Sequence, residues 1–218
     1  MKRKRVLEIW YIPFNERVAD STCLNEDERK KADVFVKNSD KNAYTISHFY
    51  LRNILSFYFP QTQADAWEFE FNEYGKPSLK DKENFHFNLS HSHSCAYLIC
   101  SNTPCGIDIE EVRDLELSSG LVEMVLCEIE LKEFQSTSNK EEYFYKHWTL
   151  KEAYLKALGL GIAKEPMNTL NIKEKVSTNL LKHEIFKDKR HLSICLLNRA
   201  NHTDIRYRTL KDLDATKQ

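Results

Sequence analysis

Hydrophobic positions along this chain change period several times, and each change marks a predicted element. "RVLEIWYIPF" (Arg5–Phe14) is β-branched and aromatic, which predicts a strand stopped by Pro13. From Asn25 to about Phe59 the apolar residues return at helical spacing. Asn25 is the natural cap, acids fill the first turn of "NEDERKKADVFVK", and Pro60 ends the run. Trp67, Phe69 and Phe71 then alternate with Glu68 and Glu70, a half-buried strand entering a Gly75-Lys76-Pro77 turn. Phe85, Phe87 and Leu89 alternate again, and "CAYLICS" and "CGIDIEEV" follow as short apolar strands separated by Asn102–Pro104. Helices are predicted over about Leu126–Gln135 and Glu141–Leu158, the second closed by Gly159. "IFKDKRHLSICLL" reads as a hairpin, and the tail "KDLDATKQ" as frayed.

The order strand, helices, strands is thus run through twice, an α+β layout whose halves are residues 1–103 and 104–218. No repeat, linker or low-complexity stretch separates them. A length of 218 residues suits one large domain or two small ones sharing a core. With a formal net charge of −1, no global field points to nucleic acid, so any charge that matters is local. The six cysteines show no CxxC spacing and read as reduced thiols of a cytoplasmic protein. "MKRKRVLEIW" begins like a signal peptide, but Glu8 interrupts its apolar run and no later run approaches the ~18 apolar residues of a membrane span. No membrane partner is expected.

Candidate chemistry enters with carboxylates in apolar surroundings. On a strand, Asp108 and Glu110 share a face. At ~4 Å and an effective dielectric of about 20 their repulsion is on the order of 4 kcal/mol, so a positive partner is needed. On the helix at 141–158, Tyr143, His147, Leu150, Tyr154, Ala157 and Leu158 form one stripe, while Glu152 sits opposite among Tyr145, Trp148, Leu155 and Lys156. Such a helix packs on both sides, with Glu152 looking into an enclosed space and Lys156 one turn on, spaced to pair with it. If the three acids converge, they suit a hard cation such as Mg²⁺. Taken singly, they read as a solvated strand face and a surface ion pair. His91, His93 and Cys95 would share a face on a longer strand, but a zinc site lacks its fourth ligand.

The motifs combine into a family likeness. "GIDIE" (Gly106–Glu110), followed by "WTLKEAYLKALGLG" (Trp148–Gly161), resembles the 4′-phosphopantetheinyl transferases of the surfactin-synthetase-activating type. "FNLSHS" (Phe87–Ser92) and "EYGKP" (Glu73–Pro77) are similar to the motifs that precede these in the family. The likeness implies a fold of two similar α/β halves with the active site at their interface, in a monomer. It implies transfer of the phosphopantetheine arm of coenzyme A to a serine of an acyl or peptidyl carrier protein.

By resemblance, Asp108, Glu110 and Glu152 hold Mg²⁺, or Mn²⁺, against the coenzyme A diphosphate. Lys156 and Lys151 contact its phosphates, Lys31, Ser90 and His91 meet its 3′-phosphate, and Lys76, projected outward by its tight turn, contacts coenzyme A. Glu152 is the first candidate to take the serine proton and Glu130, in "VLCEIE", the second. Carrier recognition falls to residues 159–190 and 117–134. The chain departs from the family at Glu28, where a basic residue is common, and near Ala43, where an arginine is; Arg52 keeps a later arginine. A coenzyme A- or carrier-binding module without transfer, and another Mg²⁺-dependent phosphate chemistry, are the competing readings.

Overall fold

The computed structural model describes residues 7–14, 20–112, 117–160, 164–198 and 204–215. Its strands are β1 (Leu7–Pro13), β2 (Phe69–Phe71), β3 (Pro77–Leu79), β4 (His86–His91), β5 (Cys95–Ser101), β6 (Cys105–Glu111), β7 (Leu180–Ile185), β8 (Arg190–Leu196) and β9 (Arg206–Thr209). The helices are α1 (Glu26–Asp33), α2 (Asn38–Tyr58), α3 (Ser119–Val125), α4 (Glu128–Ser136), α5 (Lys140–Leu158), α6 (Ile172–Lys175) and α7 (Leu210–Asp214). Asn25 caps α1 through a reciprocal box with Glu28, and Gly159 ends α5 at φ +75°.

Two sheets organise the chain, β4-β5-β1-β9 and β6-β8-β7. α2 covers the outer face of the first, where Ile46, Leu51, Ile54 and Leu55 meet Trp10, Ile12, Phe87 and Leu98. The inner faces meet each other through Leu7, Ile9, Tyr97 and Ile99 against Ile107, Ile109, Leu192 and Ile194. α5 covers the second sheet, and the order helix, sheet, sheet, helix follows from which faces are apolar.

Along one seam the edge strands β4 and β6 run side by side without pairing. Side chains take the place of a ladder: Asn88 Oδ1 accepts from Ile107 N at 2.9 Å, and Ser90 Oγ from Ile109 N at 3.4 Å. Both side chains are buried, so the free edge of β6 does not face water with open amides. α5 approaches β6 closely because Gly106 faces Ala153 and Ala157. A Cβ at Gly106 would enter the Ala153 carbonyl and come within 2.5 Å of Ala157 N.

Thr149 Oγ1 and Ser193 Oγ, 2.7 Å apart, tie α5 to β8, and His183 Nδ1 lies 2.8 Å from Ser193 Oγ. Burial, and next the neighbouring His191, push His183 from 6.5 down to about 4. Between those two values the unfolded chain binds a proton that the folded protein declines, so stability falls as pH falls through that window. Urea titrations from pH 6.5 to 4 are expected to show a shallower decline for His183→Asn than for wild type.

Three sequence expectations give way here. Phe71 is 66% exposed, because β2 and β3 pair only with each other, apart from the larger sheets. "KDLD" is not frayed: it forms α7, whose Leu210 and Leu213 enter the first core. β9 pairs with β1 in parallel, so the end of the chain returns to the first sheet, held by Arg208 on Glu8 at 2.9 Å. The strand does not continue as His91, His93 and Cys95 would need in order to share a face: it turns after His91, where Ser92 N bonds Cys95 O. Residues 1–6 and Gly161 lie outside the described residues. Among the described residues no helix is long and apolar enough to cross a membrane.

Candidate active site

The β4–β6 seam brings Ser90, Asp108 and Lys156 into one triangle. Lys156 Nζ donates to Asp108 Oδ1 at 2.6 Å and to Ser90 Oγ at 3.2 Å, while Ser90 Oγ donates to the same carboxylate oxygen at 3.0 Å. Asp108 is only 3% exposed, and its Oδ2 is buried without a partner. Burial opposes the charge of Lys156, yet Asp108, Glu152 and Glu110 outweigh it and raise the affinity of the ammonium for its proton. Glu152 is half-buried. Burial, reinforced by the charge of Asp108 and only partly offset by Lys156, raises its proton affinity above the usual carboxylate range.

Asp108, Glu110 and Glu152 therefore share one electrostatic neighbourhood with Lys156 among them. Lys156 bonds Asp108 on β6 rather than Glu152 along its own helix, which corrects the expected pairing. Among the described residues no three His, Cys, Asp or Glu side chains form a ready-made metal cluster. The donor chemistry nevertheless fits a hard cation. Asp108 Oδ2 is an orphaned buried acceptor, and Glu152 lies in the field of the same carboxylate.

A rim of basic and aromatic groups leads away from Lys156. His91 is exposed at the end of β4; partial desolvation, then Lys156 and His48, hold its imidazole below the ordinary value. His48, on α2, stacks on Tyr44 at 4.0 Å, and Lys31 lies over the other end of this array, 5.5 Å from the Tyr44 ring centre. His48 was not among the sequence candidates. Its signal was the (i, i+4) pair Tyr44–His48 on α2, indistinguishable in sequence from ordinary helix packing.

The departure at Glu28 acquires a physical reason, one that involves the retained Arg52. Glu28 turns inward, where its carboxylate takes His48 Nδ1 at 2.9 Å and Arg52 Nε at 2.8 Å. Arg52 is fully buried and donates onward to the carbonyls of Ala64 and Trp67. It anchors α2 to the loop beyond and does not face a ligand. Ala43 is buried in α2 and offers no charge.

Three further candidates are corrected. Lys151 and Glu130 are both buried to the last atom or nearly so and are paired with each other. Lys151 also donates to Val125 O at 2.7 Å and Met167 O at 3.0 Å, while Glu130 accepts from Cys127 N and Ile172 N. Neither can meet a solvent-borne phosphate or hydroxyl in this arrangement; they lock α3, α4, α5 and the turn at Met167 together. Lys76 does not project outward, because its ammonium lies on the carbonyls of Cys105, Lys156 and Ala157.

Known proteins of similar sequence identify the family. Residues 104–210 match the family described as the 4′-phosphopantetheinyl transferase superfamily, and residues 10–103 match the 4′-phosphopantetheinyl transferase N-terminal family. The chain is 28% identical over 179 residues to the 4′-phosphopantetheinyl transferase ffp of Bacillus subtilis, covering 78% of each chain. It is 32% identical over 168 residues to the 4′-phosphopantetheinyl transferase HetI of a Nostoc species, covering 72% of this chain and 70% of HetI. Against the 4′-phosphopantetheinyl transferase Sfp of Bacillus subtilis strain 168 the identity is 26% over 161 residues, 73% of this chain and 69% of Sfp. With two sheets meeting at a seam of acid and lysine, and relatives of this kind along most of its length, the chain belongs to the 4′-phosphopantetheinyl transferase superfamily.

Proposed function

We propose that the chain moves the 4′-phosphopantetheine arm of coenzyme A onto a serine hydroxyl of an acyl or peptidyl carrier protein, with Mg²⁺ as cofactor and adenosine 3′,5′-bisphosphate as the product released. The observation that carries this reading is the seam itself: Lys156 held 2.6 Å from a buried Asp108 whose second oxygen is unpartnered, with Glu152 in the same field. Asp108, Glu110 and Glu152 would hold Mg²⁺, which when bound neutralises charge on the coenzyme A diphosphate.

The chain's own residues do the rest. Lys156 offers a full positive charge to the phosphate being transferred, where positioning and charge neutralisation supply most of the acceleration. Glu152, beside Asp108 and Lys156, is the carboxylate placed to receive the serine proton, directly or through a water, as the oxygen attacks phosphorus. His91, His48 and Lys31 offer a basic rim to the 3′-phosphate, while Ser90 serves through its hydrogen bond to Asp108. On the carrier side, Met124 and Ile129 of α3 and α4 are 68% and 52% exposed, and Val176 beyond α6 is 42% exposed. These apolar groups and the nearby Lys173 and Lys175 suit an amphipathic, acidic carrier helix. All six cysteines are free, which supports a reducing, cytoplasmic setting. The seam is built from residues of one chain, which supports a monomer.

Incubation with coenzyme A, Mg²⁺ and an apo carrier, followed by mass spectrometry, tests the proposal. The expected result is a carrier heavier by one phosphopantetheine arm, with the gain abolished by EDTA and restored by excess Mg²⁺. Binding of coenzyme A or carrier with no mass gain on several apo carriers would make the protein a binding module instead.

A further inference from the structure

We propose that Lys76 is a positioning residue that sets Lys156 against Asp108 by clamping the end of α5, and that it acts through backbone rather than on coenzyme A. The ammonium has three protons, and the bonds to Lys156 O at 2.7 Å, Ala157 O at 2.9 Å and Cys105 O at 3.1 Å use all of them. Two of these carbonyls belong to the last turn of α5, where acceptors lack intrahelical partners and the helix end is electronegative. The third opens β6, three residues before Asp108. One side chain thus joins the two elements whose own side chains meet at the Asp108–Lys156 bond. Lys156 is gripped at both ends, its carbonyl by Lys76 and its ammonium by Asp108.

The turn carrying Lys76 is braced for this purpose. Asn72 Oδ1 accepts from Lys76 N at 2.8 Å and from Tyr74 N at 3.0 Å, and Asn72 Nδ2 donates to Gly159 O at 2.8 Å. Gly75 closes the turn at φ +82°. The fit on the helix end is tight: a Cβ at Gly159 would lie 2.8 Å from Asn72 Nδ2 and 3.1 Å from Lys76 Cδ. A residue from the β2–β3 hairpin, in the first half of the chain, therefore fixes the last turn of a helix from the second half. Desolvation lowers the proton affinity of Lys76, and the neighbouring thiols of Cys105 and Cys195 only partly oppose that loss.

This inference rests on the reading of Lys156 as a phosphate-contacting group, so its test includes a readout free of activity. Lys76→Met keeps the stem and removes the charge; Asn72→Ala loosens the same clamp more gently and is used if the first variant fails to fold. In both, amide hydrogen exchange at residues 155–160 is expected to accelerate at least about tenfold while β1 and β5 keep their protection. In transfer assays kcat is expected to fall about 10- to 100-fold, since a displacement near 1 Å costs that much, with KM for coenzyme A changed less than about 3-fold. Unchanged exchange at 155–160 in a folded variant overturns the clamp whatever the protein's activity. A KM raised tenfold with kcat preserved overturns it in favour of a coenzyme contact. A wild-type protein that shows the clamp in exchange but transfers nothing would instead defeat the functional reading.

Discussion

Asp108→Asn is expected to leave a folded protein that transfers phosphopantetheine about 10³-fold more slowly than wild type. The substitution keeps size and shape, so the packing of β6 under α5 at Gly106 is undisturbed. What it removes is the charge that holds Lys156 at 2.6 Å and one of the oxygens available to a cation. Removing a single preorganised electrostatic partner at a reacting centre costs roughly 10²–10³ in rate, and here two partners are weakened together. Stability should change little. Lys156 keeps Glu152 and Glu110 as electrostatic partners, and Glu152 loses the neighbour whose charge raised its proton affinity. Mass spectrometry of the carrier and a thermal melt check both halves of the expectation. Turnover within threefold of wild type would remove Asp108 from the site.

The second large effect is on stability. Lys151→Met alone should destabilise the protein by about 3–5 kcal/mol, because it leaves the Glu130 carboxylate uncompensated in the interior. The carbonyls of Val125 and Met167 also lose their donor. Combining Lys151→Met with Glu130→Gln removes the stranded charge, while the new side-chain carbonyl still accepts from the amide of Cys127. At least half of the loss should therefore return. Urea unfolding of the two single variants and the double variant measures this directly. The double variant also separates the two readings of Glu130. A structural pair predicts that activity returns with stability; a proton acceptor at Glu130 predicts a stable but inactive protein.

These results bear on what could be read from sequence. The helix caps at Asn25 and Gly159, the strand β1 and the acids of β6 were legible because each is a local pattern: a cap, a period, a charge where packing disfavours one. The opposing placement of Glu152 on α5 was legible for the same reason. What sequence could not resolve was the direction taken by long charged side chains. Lys76, Lys151, Arg52 and Glu28 carry charges that a sequence reading places at the surface or on a ligand, yet all four spend their charge inside the fold. Whether a lysine reaches solvent or a buried carbonyl depends on which remote element lies within its span, and periodicity holds no information on that. The return of β9 to β1 escaped for a related reason. A four-residue strand and a single turn of helix carry too few positions to show a period, and their place is set by Glu8 and the first core.

The claim on which the account rests is that carboxylates from β6 and α5 close on one divalent ion at a diphosphate. A crystal structure with coenzyme A and Mn²⁺, read by anomalous scattering, tests it most directly. The account predicts one strong manganese peak in bonding contact with Asp108 and Glu152 and with the diphosphate, and Lys156 Nζ turned toward the same phosphates. A diphosphate bound away from the β4–β6 seam, or a metal peak that touches neither Asp108 nor Glu152, would contradict it.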